Sequence, residues 1–348
     1  MQPAVSLRIR LERVACPRCD CAKSSPVYTA HDYIYGLPGT FYAARCDECG
    51  LWFQNPRPVA ADIPMLYPET YTPHAETHRH RTAPTERVSW LKNAWRGWNA
   101  GYLTRNLQYE HRRIDHPAAR TGARFGAAIS RAARWRAGCD LVPRFVPGGK
   151  LLELGCGTGD TLARYRDLGW QNLHGVELSD SAARIARRAG FDVKTNTIES
   201  ALETYEDKTF DAIVAVMVLE HLVNPFAVVR QIARKLKPGG EFLFSTVIRD
   251  SLDGRIFGKY GVCFDFPRHM VFFRKRDLND MLRNDFHRVN SWHQSTPIDF
   301  QRPASLRSGN YDNQLRDFFA GRSGTHLVSL LARLKLMGRV SYRCRRKP

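Results

Sequence analysis

The chain has 348 residues, 43% of them hydrophobic and 25% charged, a globular composition that excludes wholesale disorder. No window approaches the roughly 18 consecutive apolar residues of a spanning helix, and the N-terminus has no apolar run long enough for a secretory signal, so a cytoplasmic location is expected. The formal net charge is +19 and unevenly placed: residues 79–150 carry 15 basic and 4 acidic side chains and residues 301–348 carry 11 and 2, while 1–78 and 151–300 are balanced. An acidic partner near those two segments is implied, whether nucleic acid, a membrane surface or a phosphorylated substrate; the plainer alternative is arginine that solvates exposed helices.

Residues 1–60 read as a small metal-binding ribbon. Cys16 and Cys19 form one C-x-x-C pair and Cys46 and Cys49 a second. Two such knuckles supply the four thiolates of a closed, structural zinc site, and Pro17 and Gly50 are suitable turn residues beside them. Cys21 competes with Cys19, since CPRCDC offers three thiols in six residues. An iron–sulfur cluster would want a closely spaced third cysteine, and disulfides would want an oxidising compartment. Cys139, Cys156, Cys263 and Cys344 have no metal spacing and read as packing or surface residues.

Residues 61–147 form a linker and a basic helical or lid segment. TPHAETHRHRTAP reads as a polar loop, after which Trp90, Ala94, Trp98 and Tyr102 recur at four-residue spacing with basic residues between them. Such a helix packs on its own domain or lies on an anionic membrane.

From Lys150 the pattern changes to alternating strands and helices. KLLELGCGTGD is a buried strand followed by a glycine turn into a helix, which lets backbone approach a ligand at the helix N-terminus. NLHGVELSD gives a second strand ending in Glu177, whose position suits hydrogen bonds to ribose hydroxyls. A helix over about 179–189 follows, then FDVKTNTIES as a short strand and turn. FDAIVAVMVLEHLVNPFAVVRQIARKL is an apolar strand running into a helix that Pro238-Gly239-Gly240 ends before the next strand. The fold class is therefore α/β, a doubly wound parallel sheet. RVSYRCRRK after Gly338 reads as its last, edge strand.

Residues 150–245 resemble the class I S-adenosylmethionine-dependent methyltransferases, with their Rossmann-like seven-stranded sheet: LELGCGTGD, GVELSD, FDAIVAVMVLEHLVNP and LKPGGEFLFS stand in the family's order. The ribbon CPRC…CDECGLWFQNPRP together with a downstream FPRHMVFF resembles a narrower bacterial group that methylates small molecules, often nucleotide-linked sugars or precursors of surface polysaccharides and natural products. The resemblance implies a methyltransferase core over 148–300 with a substrate insertion at about 249–270. It implies that Gly155, Gly157 and Gly159 line the methionine part of the cofactor, Glu177 binds the ribose, Thr197 and Ile198 flank the adenine, and Met217 and Val218 approach the methyl-bearing sulfonium, with Glu153, Cys156, Thr158 and Leu178 also in the cofactor site. Asn196 stands where the family often has an acidic residue.

Methyl transfer to an activated carbon needs alignment and removal of a proton from the acceptor. His221, directly after the fourth strand, is expected to be the base, with Glu220 orienting it or holding a substrate hydroxyl. His269 is a rival base, and Arg268 is expected either to clamp an anionic substrate or to anchor its own loop. The tail 301–348 contains HLVSLLARLKLMG, with Leu327, Leu330, Leu331 and Leu334 on one helical face, for packing or for peripheral contact with an anionic membrane. The reading is a methyltransferase using S-adenosyl-L-methionine and structural Zn2+ on a small, anionic, phosphorylated sugar-like or lipid-linked acceptor. Nucleic-acid methylation is the lesser alternative, since LEHL stands where an amine-positioning motif would, and a nonenzymatic zinc-ribbon protein is the third. Oligomeric state is not legible.

Overall fold

A computed structural model describes residues 9–67, 108–109, 141–294, 298–308, 317–319 and 321–348. The linker around 70–84, the helix expected over Trp90 to Tyr102, and Cys139 lie outside the described residues. Contacts divide the chain into two compact units: one of 1–71, 215–234 and 244–347, the other of 72–214 and 235–243 with the last residue.

The strands, in chain order, are β1 (Leu11–Glu12), β2 (Ser24–Ala30), β3 (Phe41–Cys46), β4 (Trp52–Gln54), β5 (Arg57–Pro58), β6 (Lys150–Leu154), β7 (Asn172–Glu177), β8 (Asp192–Thr195), β9 (Phe210–Val216), β10 (Leu236–Val247), β11 (Val271–Phe272), β12 (Phe286–Gln294) and β13 (Arg339–Arg346). Seven of them form the main sheet in the order β12-β13-β10-β9-β6-β7-β8. β6, β7 and β8 are parallel, with Leu151 beside Leu173, Glu153 beside Gly175 and Glu177 beside Thr195. The helices α1 (Asp160–Asp167), α2 (Asp180–Arg188), α3 (Ile198–Glu203) and α4 (Pro225–Lys235) alternate with these strands. The doubly wound α/β expectation therefore holds.

Burial explains the local sequence. β6 is buried from Leu151 to Leu154, as a strand covered on both faces must be. Leu151, Leu173, Val193 and Val214 join Leu162, Ala183 and Trp170 in one core. The Trp170 indole N–H donates to the Tyr109 hydroxyl at 2.9 Å, which itself donates to the Pro143 carbonyl at 2.9 Å, so the core's polar handles are satisfied. Ser179 caps α2, accepting from the Ala182 amide.

Two details differ from the sequence expectation. β13 is not an edge strand: it lies between β10 and β12, antiparallel to β12, and residues 340–344 are buried without a break. The edge is β12, whose residues 287–290 are exposed. Alternation suggested one wet face, but an interior strand has none. The strand after α4 also starts earlier than Pro238-Gly239-Gly240 implied, at Leu236.

The ribbon is a four-stranded sheet of order β11-β4-β3-β2. Its fourth strand comes from residue 271 onward, with Val271 opposite Phe53 and Phe272 opposite Trp52. Residues 1–60 are thus completed by a distant part of the chain. Residues 249–266 hold α5 (Leu252–Phe257) and two short 3-10 turns, Gly258–Tyr260 and Val262–Phe264; α6 (Lys275–Leu282) follows β11. In the tail, α7 (Ile298–Ser308) and α8 (Arg322–Arg333) enclose a small core of Phe257, Phe300, Ala304, Phe319, Val328, Ala332 and Met337. The inward residues of α8 are Val328 and Ala332, with Leu331 packed at the margin. Leu327, Leu330 and Leu334 are 39%, 51% and 59% exposed. Among the described residues no helix is long and apolar enough to cross a membrane.

Candidate active site and metal centre

The knuckles are built alike. The Asp20 amide donates to the Cys16 carbonyl at 2.9 Å and the Gly50 amide to the Cys46 carbonyl at 3.0 Å. Asp20 and Gly50 each take the left-handed conformation that closes such a turn, at φ 61 and 70. The turns bring the ligating atoms of Cys16, Cys19, Cys46 and Cys49 within 4.8 Å of one another, with Cys16 to Cys49 at 3.6 Å and Cys19 to Cys46 at 3.5 Å. A tetrahedron of sulfurs about 2.3 Å from zinc has edges of about 3.8 Å, so the donor set fits that ion. Cys21 is outside the group, its thiol facing the Lys23 carbonyl at 3.5 Å. Burial opposes ionisation of Cys46, yet the Cys49 and Glu48 amides and the Cys19 and Cys16 thiols bring it down to about 7.

In the unit holding β6 to β8, the glycine turn and the acidic tip grip each other. Gly155, Gly157 and Gly159 all have positive φ, at 69, 53 and 89. The Gly155 and Cys156 amides donate to the Val176 carbonyl at 2.8 and 3.1 Å. One Glu177 oxygen accepts from the Gly157 amide and the other from the Ser179 amide, both at 2.8 Å. A side chain at Gly159 would be strained at φ 89 and press on Phe191 at 3.0 Å, and a Cβ at Gly175 would meet the Cys156 sulfur at 2.6 Å. Glu153 is buried under the turn, and its Oε2 has no hydrogen-bond partner. Burial pushes its carboxyl up to about 8, against the pull of the Thr161 hydroxyl. Thr158 and Leu178 are half-buried. Thr197 caps α3, accepting from the Ser200 amide at 3.3 Å, with half-buried Ile198 beginning the helix. The glycine turn, the Glu177 carboxylate that holds it and the orphaned Glu153 oxygen fit a nucleoside cofactor bearing an amino-acid tail.

The other predicted residues belong to the unit of 1–71, 215–234 and 244–347. Met217 follows β9 at φ 55, a conformation uncommon for a side-chain-bearing residue, its amide donating to Ser245 at 2.9 Å; Val218 is buried. The short 3-10 turn Leu219–His221 carries the next two residues. Glu220, His221 and His269 converge, with ligating atoms within 4.8 Å and the imidazoles 4.6 Å apart edge to face. Glu220 Oε2 accepts from the Thr246 hydroxyl at 2.6 Å, Oε1 has no partner, and burial raises this carboxyl above its ordinary range. His269 Nδ1 faces the Cys263 carbonyl at 3.0 Å. His221 Nδ1 lies 3.2 Å from the Tyr67 hydroxyl, and its ring also bonds the Arg268 backbone. Burial, then the electrostatic influence of the neighbouring His269 and Arg268 side chains, holds His221 well below its ordinary value.

Arg268 is fully buried and its guanidinium is engaged within the fold. It donates to Asp32 at 2.8 and 2.9 Å and to Asp265 at 2.6 Å, and lies over the Tyr35 ring. Of the two roles expected for it, this geometry is that of the loop anchor. Tyr67, Thr246, Asp32 and Gln54 were not singled out from the sequence. Each meets the site across a long stretch of chain, and nothing local marks it.

A parallel sheet whose first strand turns through glycines into a helix, and whose second ends on a carboxylate holding that turn, is the nucleotide-cofactor site of doubly wound proteins. Residues 127–285 match the family model described as a methyltransferase domain. The ubiquinone biosynthesis O-methyltransferase of Idiomarina loihiensis is 34% identical over 110 residues, 30% of this chain and 44% of that protein. That of Ralstonia nicotianae is 35% identical over 109 residues, 30% and 45% respectively. The chain thus spans less than half the length of these curated relatives. A solved S-adenosylmethionine-dependent methyltransferase from Mesorhizobium loti aligns at TM-score 0.43 and 18% identity, covering 63% of this chain and 100% of its own. Over residues 127–285 this chain is similar to methyltransferase domains.

Proposed function

We propose that the protein transfers a methyl group from S-adenosylmethionine to a small, anionic acceptor, a phosphorylated sugar-like or lipid-linked biosynthetic intermediate. The mutual grip of Glu177 and the Gly157 turn is the observation that carries the cofactor half of this reading. Gly155, Gly157 and Gly159 would hold the methionine part, Glu177 the ribose, and Thr197 with Ile198 the adenine. Met217 and Val218, after β9, are assigned to the sulfonium end. The cofactor supplies a methyl carbon already activated by its sulfonium.

This chain's own task is to orient the acceptor and take its proton. His221 is assigned as the base: held below its ordinary pKa, its imidazole is neutral at pH 7 and has a lone pair to offer. The Tyr67 hydroxyl, 3.2 Å from Nδ1, and the Arg268 backbone hold the ring, and the acceptor would take the place of the Tyr67 hydroxyl on the imidazole lone pair. Glu220, anchored by Thr246, keeps a free oxygen for a substrate hydroxyl, and His269 stands beside both. Arg268 holds the loop. The ribbon is assigned one structural Zn2+, supported by the sulfur spacing. The test is methyl transfer from labelled cofactor to a panel of phosphorylated and lipid-linked acceptors. His221→Ala should lower turnover by about a hundredfold or more while cofactor affinity stays within a few fold. Unchanged turnover would remove His221 from this role.

One surface observation favours peripheral attachment as well. The exposed Leu327, Leu330 and Leu334, flanked by exposed Arg333 and Lys335, suit the headgroup boundary of an anionic bilayer, where a lipid-linked acceptor would be met. Sedimentation with phosphatidylglycerol vesicles should be lost in Leu330→Glu; equal sedimentation would contradict it.

A further inference from the structure

Gln54, at the end of β4, is 1% exposed and spends both hydrogens of its amide on one loop. Its Nε2 donates to the Pro267 carbonyl and to the His269 carbonyl, each at 2.8 Å, and its backbone amide donates to the Met270 carbonyl at 2.9 Å. The Met270 amide in turn donates to the Glu220 carbonyl at 2.7 Å. Residues 267–270 are therefore clamped between Gln54 on one side and Glu220 on the other, with His269 inside the clamp. A primary amide is suited to this post, because it presents two donors in one plane and the loop offers two carbonyls.

The same strand follows directly from the second cysteine knuckle. The Cys46 amide donates to the Leu51 carbonyl at 2.8 Å, and β4 begins at the next residue. Further ties join the knuckles to the chain after the loop. Arg274 and Arg276 donate to the Cys49 carbonyl at 3.5 and 3.3 Å, and Arg18, inside the first knuckle, pairs with Asp277 and Asp280.

We propose that Gln54 is a positioning residue through which the cysteine ribbon sets the geometry of His269 and Glu220, so that order in the metal site is a condition for order in the acceptor site. The ribbon is on this account a brace for the reaction loop and not a separate recognition module. The inference rests on the assignment of those residues to the acceptor site.

The test is peptide-resolved hydrogen exchange on the full chain: zinc-loaded, chelator-stripped, and zinc-loaded Gln54→Met, which keeps the bulk and loses the donors. Exchange over 265–272 and 219–223 should quicken by about tenfold or more in both altered states, while 150–200 exchanges as before and is still protected by S-adenosylhomocysteine. Should the stripped chain unfold, Gln54→Met with its zinc content verified decides alone. The imidazole nitrogen resonances of His221 and His269, assigned through His→Gln variants, give a second readout. Their titrations should move in Gln54→Met while the chain stays folded, which a merely packing role would not produce. Unchanged exchange over 265–272 together with unmoved titrations in Gln54→Met would overturn the proposal. Failure of S-adenosylhomocysteine to protect 150–200 would instead overturn the cofactor assignment.

Discussion

Replacing Arg268 by Met removes a guanidinium from a place with no water to take over its partners. Arg268 and Asp32 have side chains at 0% exposure, and Asp265 is at 17%. Met fills much of the stem volume, so the loss is electrostatic. A buried carboxylate stripped of its partner costs about 3–5 kcal/mol. Asp32 keeps the amides of Ile34, Tyr35 and Leu37 at 2.9, 3.0 and 3.4 Å, which places the expected cost near the lower end, about 3 kcal/mol or roughly a hundredfold in the folding equilibrium. Asp32→Asn in the same chain should recover about half of it, since the uncompensated charge is then gone. The pH dependence has a definite sign. Burial alone would raise Asp32, but Arg268 and the Tyr35 and Ile34 amides bring it below its ordinary value. The pair therefore contributes fully above the unfolded carboxylate pKa of about 3.9, and its contribution is lost as pH falls below that. Urea unfolding of wild type, Arg268→Met and the double variant at pH 7 and at about pH 2.5 measures all of this. A difference under about 1 kcal/mol at pH 7, or one that does not narrow between about pH 4 and about pH 2.5, would contradict it.

Cys46→Ser should lose zinc, measured by metal analysis, and loosen the ribbon while S-adenosylhomocysteine binding persists; equal zinc in both proteins would contradict the four-cysteine site. Glu153→Gln should change stability with pH. Glu153 has its carboxyl pushed up to about 8 in the fold, so the stability it contributes is complete below about 4.5 and lost as pH rises through 8. Melting temperatures at pH 5, 7 and 9 should therefore diverge in favour of the Gln variant toward the alkaline side, and parallel profiles would count against it.

What was legible in the sequence was local. Glycines that need positive φ, an acidic strand tip, thiols two residues apart and continuous apolar strands are each written within a few neighbouring residues. The central sheet, the four-cysteine group and the neighbourhood of Glu220, His221 and His269 could be anticipated from them. Contacts made across the chain could not. Arg268 meets Asp32 across 236 positions and Gln54 meets the Pro267 carbonyl across 213, and nothing near either residue in sequence marks its partner. β13 misled because tertiary burial covers both faces of a strand whose sequence alternates. The leucine face of α8 was legible, but not that Val328 and Ala332 take the inward positions while Leu327 and Leu330 stay exposed.

Titration calorimetry of the zinc-loaded chain with S-adenosylhomocysteine, beside Glu177→Ala, tests the central claim most directly. The parent should bind in the micromolar range and the variant about tenfold or more weaker, since the carboxylate assigned to the ribose hydroxyls is lost. A well-folded parent that binds nothing, or a variant that binds as tightly as its parent, would contradict it.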